Sequence, residues 1–241
     1  WRPPAGSEAW IAIGTSDVLL RMTPDGSGVP TIGAPTSPGG AAPVRVDLQG
    51  GALPGRAPTG LVFNAAGSRL YVNNLVSRSI SIVDPAAAAL VGAVPSPALP
   101  APGSPAETQL LGQRLFRSSR ESGAMSREGW GACVACHPDG RSDGVTWMFG
   151  AGPRQTISLD GAFSKTTPND QRILNWSATA DEVQDFERNI REVSGGQGLI
   201  RDDRQVIFVG GSLGGTDVGT VSALTSPVSP TSPVGSVSTT N

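Results

Sequence analysis

Hydrophobic and polar residues alternate with a period of two along residues 79–84, where Ser79 and Ser81 interleave with Ile80 and Ile82. That period turns successive side chains to opposite faces of an extended chain and predicts a β-strand. Residues 9–13 and 18–22 are short β-prone runs, with Gly14, Thr15, Ser16 and Asp17 between them as a hairpin loop and Pro24, Asp25 and Gly26 ending the second run. After a Pro/Gly-rich link, residues 60–64, a turn at 65–68, residues 69–74 and residues 79–84 predict three more strands. The alanine- and proline-rich stretch 85–106 predicts a final strand and then a semi-rigid linker.

Beyond Gly103 the period changes. Leu110, Leu111, Leu115 and Phe116 form a stripe of helical spacing, with Gln113 and Arg114 on the opposite side. Thr179 and Glu182 form a capping box for a second helix, in which Val183, Phe186 and Ile190 share a face and Gly195 and Gly196 supply the stop. Residues 205–209 predict one more strand. The remaining tail, rich in Ser, Thr and Pro, suits an extended arm.

Three regions are therefore expected: a β-rich region over 1–100, a second domain over 101–200, and a strand with an extended arm over 201–241. The fold class expected is α+β, with a mostly helical and loop second domain. The 241 residues include 32 Gly and 21 Pro, and only 16% are charged, which favours turns and extended segments. A net charge of -2 points to neither nucleic acid nor an anionic membrane as partner. No run of about 20 apolar residues spans a bilayer. Trp1, Arg2, Pro3 and Pro4 read as the start of a trimmed product.

The chemistry concentrates in one pentapeptide. Cys133, Cys136 and His137 are all the cysteine and histidine of the chain, in the order C-x-x-C-H. This is the attachment signature of c-type haem. Two thiols on one helical turn add to the two vinyl groups, and the imidazole that follows points at the iron. A thioredoxin-like pair needs a βαβ context, which is missing, and a structural zinc site wants about four Cys or His ligands where three exist. One covalently attached haem c is the cofactor expected.

Around the motif, Phe116, Trp130, Trp147, Phe149, Phe163, Trp176 and Phe186 gather within a short stretch, as a large apolar disc requires, although an ordinary core would look the same. Trp147 is the ring expected to bind the haem. Arg141 and Arg154 are the arginines expected at its propionates. No second histidine exists, so bis-imidazole ligation is excluded. Met148, eleven residues after His137, is the methionine expected as sixth ligand, with Met125 behind it and core filling as the competing role.

Residues 60–84, with Tyr71, Val72, Asn73 and Asn74, resemble a blade of the YVTN-type β-propeller family, and residues 9–26 resemble half of another. Propellers close with four to eight blades, so about two blades leave open edges. A second copy covering them would make a homo-oligomer or filament. Gly112, Gln113, Arg114, Leu115 and Phe116, upstream of the haem motif, resemble the first helix of class I cytochrome c domains. Residues 107–200 resemble the haem domain of propeller-linked proteins similar to the di-haem cytochrome c peroxidase family.

The resemblance implies a periplasmic or extracellular location after loss of an export signal. Members of that family carry two haems, and here the second C-x-x-C-H is missing. Single-electron transfer with redox partner proteins, or with copies of itself in a homopolymer, is thus the expected function, more an electron carrier than an enzyme. Peroxidase chemistry at an open distal site is the alternative; Asp181, Glu182, Asp185 and Glu187 could supply acid and base there, or be a solvated helix face.

Overall fold

A computed structural model describes residues 2–3, 8–32, 42–120, 125–149, 152–164, 166–167, 174–177 and 183–198. The capping box at Thr179 and Glu182, the carboxylate Asp181, the strand expected at 205–209 and the C-terminal arm lie outside these residues. Ten strands in antiparallel sheets and three α-helices occur among the described residues, with no closed barrel. The chain divides into two compact units, one running to Arg114 and the other from Leu115.

In the first unit, β1 (Ala9–Ile13) pairs with β2 (Val18–Pro24), which also pairs with β3 (Pro30–Thr31) and β4 (Arg45–Asp47). The stretch holding β3 and β4 was expected only as a link. A four-stranded meander follows: β5 (Pro58–Phe63), β6 (Leu70–Asn74), β7 (Ser79–Asp84) and β8 (Ala89–Pro95). Asn64 closes the β5–β6 turn by accepting from the amides of Ser68 (2.8 Å) and Arg69 (3.0 Å).

Trp10, Leu19, Val46 and Leu48 pack against Leu70, Val72 and Val83 as one shared core. Each such side chain contributes about 1.5–3 kcal/mol by leaving water. The period along β7 is as the sequence predicts, but its inner face is mainly polar. Ser79, Ser81 and Val83 are buried, whereas Ile80 and Ile82 are half-buried. The reason is the buried Asn74, whose Nδ2 donates to Ser79 Oγ (3.2 Å) and Ser81 Oγ (2.8 Å). Asp17, also buried, ties together the loops before β2, after β4 and before β5 by accepting from the Ala57 amide (2.7 Å) and Gln49 Nε2 (2.7 Å).

Helix α1 (Pro105–Arg117) begins where Ser104 Oγ accepts from the Glu107 amide (3.2 Å), with Pro105 in the first turn. Its Leu110 packs with Ala57 and Val76 of the first unit. Arg114, expected on the polar side, lies buried one turn beyond Leu110 on the same side of the helix.

The second unit contains α2 (Cys133–Cys136), a 3-10 turn at Pro138–Gly140, the hairpin β9 (Thr146–Phe149) with β10 (Gly152–Gln155), and a 3-10 turn at Val183–Phe186 leading into α3 (Glu187–Glu192). A mostly helical domain was expected here, and the described residues carry a hairpin and short helices instead. Glycines and prolines between the apolar residues keep each helix short. At the end of α3 the Gly196 amide donates to the Ile190 carbonyl (3.0 Å), and Gly195 has φ +67°, the stop that the glycine pair predicts. Within α3 the carboxylate of Glu187 pairs with Arg191 (2.9 Å), an ordinary i,i+4 contact. No described helix is long and apolar enough to cross a membrane.

Candidate functional site

The backbone of the cysteine motif follows from its sequence. Ala132 is extended, α2 makes one turn, and the His137 amide donates to the Cys133 carbonyl (2.9 Å). Pro138 then disfavours helical geometry at His137, which leaves the helix at φ -119°, ψ 66°. Asp139 has φ 51° and Gly140 φ 75°, and the Gly140 and Arg141 amides return to the carbonyls of His137 (3.0 Å) and Pro138 (2.9 Å). One turn thus carries both thiols, and the imidazole stands at its end.

Cys133 and Cys136 are half-buried and form no disulfide. Burial pushes the Cys133 thiol up to about 11. Cys136 is raised as well, by burial and then by the negative charge of Asp143. Burial pulls the His137 imidazole below its ordinary value, while the backbone of Ile157 and the Asp143 carboxylate oppose that shift. His137 Nδ1 is buried without a hydrogen-bond partner. A neutral imidazole with an unengaged nitrogen can bind a metal, whereas protonated thiols of this kind are poor nucleophiles.

Asp143 organises the loop that follows. Its Oδ1 accepts from Thr156 Oγ1 (2.6 Å) and the Val145 amide (3.0 Å), and its Oδ2 accepts from Trp147 Nε1 (2.7 Å). These bonds to the ionised form hold its carboxyl below the usual range. Trp147 is half-buried and lies parallel to Phe149, ring centroids 6.3 Å apart. The sequence marked the loop but not Asp143. A carboxylate two residues before the Val145 amide is an Asx-turn signal that could have pointed to it.

Of the other expected site residues, Arg154 pairs directly with Trp147 across the β9–β10 hairpin, and Met148 is the next residue along β9. Met148 alternates with Trp147 and Phe149 along β9 and is 76% exposed, whereas Met125 is buried at 2%. Arg141 and Arg154 are exposed, and Arg154 Nη1 donates to the adjacent Pro153 carbonyl (2.9 Å). Trp130, Phe163 and Trp176 are exposed too. Among the described residues, no group of three or more His, Cys, Asp or Glu side chains is placed to hold a metal ion.

No family model matches this chain, and no curated protein matches it. A crystal structure of a functionally unknown protein from Desulfotomaculum acetoxidans DSM 771 is similar over 41% of this chain and 28% of that chain, with 20% identity and a TM-score of 0.31. A likeness at that level carries no argument about fold or function.

Proposed function

We propose that the second unit carries one haem, held by thioether bonds to Cys133 and Cys136 with His137 toward the iron, and that it transfers single electrons outside the cytoplasm. The observation that carries this reading is the pair of unpaired thiols on one turn, followed at once by a buried imidazole nitrogen with no partner. The group also fits the apolar surface that the described residues of the unit expose. Its buried large apolar side chains among the described residues are Met125 and Leu174, while Trp130, Val145, Met148, Phe163 and Trp176 are exposed. Exposed aromatic surface of this kind is what an apolar macrocycle covers.

When bound, the iron supplies a reversible one-electron couple. The chain's own residues supply the rest. Cys133 and Cys136 tether, and Pro138 ends the turn so that His137 stands free of the helix. Asp143 holds Trp147 in place and sets a fixed negative charge near the imidazole, which favours the oxidised state of a nearby metal. A redox partner protein or a further copy of the chain would receive the electron.

The test is the mass and visible spectrum of protein made in a host that attaches haem c. A mass raised by one haem, lost in Cys133→Ser with Cys136→Ser, is the expected result. A colourless chain at its bare mass with two alkylatable thiols, produced in that host, would refute the proposal.

A further inference from the structure

The last residue of α1, Arg117, holds a cationic group in place with little to receive it. Its Nε is buried and has no hydrogen-bond partner. Among the described residues its counter-charge is Asp139, with Nη2 and Oδ1 3.7 Å apart, too long for a hydrogen bond. The Asp139 side chain is 88% exposed, so the pair is screened by water and worth little. A guanidinium with a buried, unsatisfied N–H is costly, and the group that best repays it is a carboxylate taken by the planar fork. The place is informative as well. Asp139 lies in the turn that begins immediately after His137, so Arg117 stands beside the segment carrying the thiols and the imidazole. Arg141 and Arg154, the arginines the sequence favours, sit in solvent and leave no such debt.

We propose that Arg117 receives a carboxylate of the haem attached at Cys133 and Cys136, making it a cofactor-positioning residue that the chain holds ready. The inference rests on the haem reading, which the spectrum of the unaltered protein checks first. A lack of haem there sinks both. With haem present, the decisive measurement is the midpoint potential of the unaltered protein, Arg117→Gln and Arg117→Lys, each with its covalent haem retained.

Loss of a cation beside the haem stabilises the oxidised state. Arg117→Gln should therefore move the potential negative by a threefold to tenfold change in the redox equilibrium, tenfold being about 59 mV for one electron. Arg117→Lys should recover part of that shift. Asp139→Asn should leave the thermal midpoint unchanged. A potential unmoved by Arg117→Gln, or equal thermal losses in Arg117→Gln and Asp139→Asn, would show a purely structural ion pair and overturn the proposal. A shift that appears only on adding inorganic phosphate would assign the site to a free anion and overturn it too.

Discussion

Before any haem is attached, Cys133 should behave as a nearly inert thiol. Burial raises its pKa from 9.0 to about 11. At about pH 8 its thiolate fraction then falls about 100-fold relative to the unfolded chain, since each pKa unit is a factor of ten. The more basic thiolate is the better nucleophile, and a Brønsted slope of about 0.4–0.5 returns roughly six- to tenfold. The net expectation is alkylation by iodoacetamide slower by about tenfold in the folded protein than in urea, read by mass spectrometry of the peptide holding Cys133. The same shift has a stability consequence. The folded state binds this proton more tightly, so its contribution is fully present below pH 9 and is lost as pH rises from about 9 to about 11, on the order of 3 kcal/mol. Thermal melts of the haem-free protein should fall across that window. Cys133 alkylating at its unfolded rate, with a flat melting temperature from pH 9 to 11, would refute the argument from burial. The haem-loaded protein provides the contrast, because thioethers neither alkylate nor titrate in this range.

Other perturbations test the first unit and the loop. A Cβ added at Gly55 would lie 2.8 Å from Nδ2 and Oδ1 of Asn74 and from Ser81 Oγ. Gly55→Ala should cost about 2–4 kcal/mol by urea unfolding, and an unchanged midpoint would show that the Asn74–Ser81 seam is not rigid. Leu70→Ala removes a fully buried side chain from the shared core and should cost about 2–5 kcal/mol by the same assay. Trp147→Phe keeps an aromatic ring but loses the indole donor to Asp143; a loss of about 1 kcal/mol is expected, and a double variant with Asp143→Asn that loses the full sum of the two single losses would contradict that shared bond.

The β-strands of the first unit are legible because their evidence is local. A period of two, Gly and Asn turns, and β-branched residues all act over a few neighbours, so 9–13, 69–74 and 79–84 can be placed from spacing. Strand β4 is not legible, since three residues of modest propensity become a strand only where β2 offers an edge. Arg114 shows the same limit: its charge argues for solvent, and the surface against the helix decides otherwise. At the candidate site, the order Cys133, Cys136, His137, Pro138 dictates a single turn with the imidazole beyond it. Asp143 and Arg117 come from segments 6 residues after and 20 residues before His137, and no spacing rule joins them to it.

What the order of residues decides here is short-range: which runs extend, where turns fall, and that two thiols occupy one turn with an imidazole directly after it. What needed the packed chain is which side of each element faces inward. Along β7 the alternation was certain, yet the serines rather than the isoleucines were drawn to the fully buried face, because Asn74 on the neighbouring strand offers them hydrogen bonds. Periodicity follows from the geometry of one backbone, whereas the inward face depends on partners brought from elsewhere in the chain.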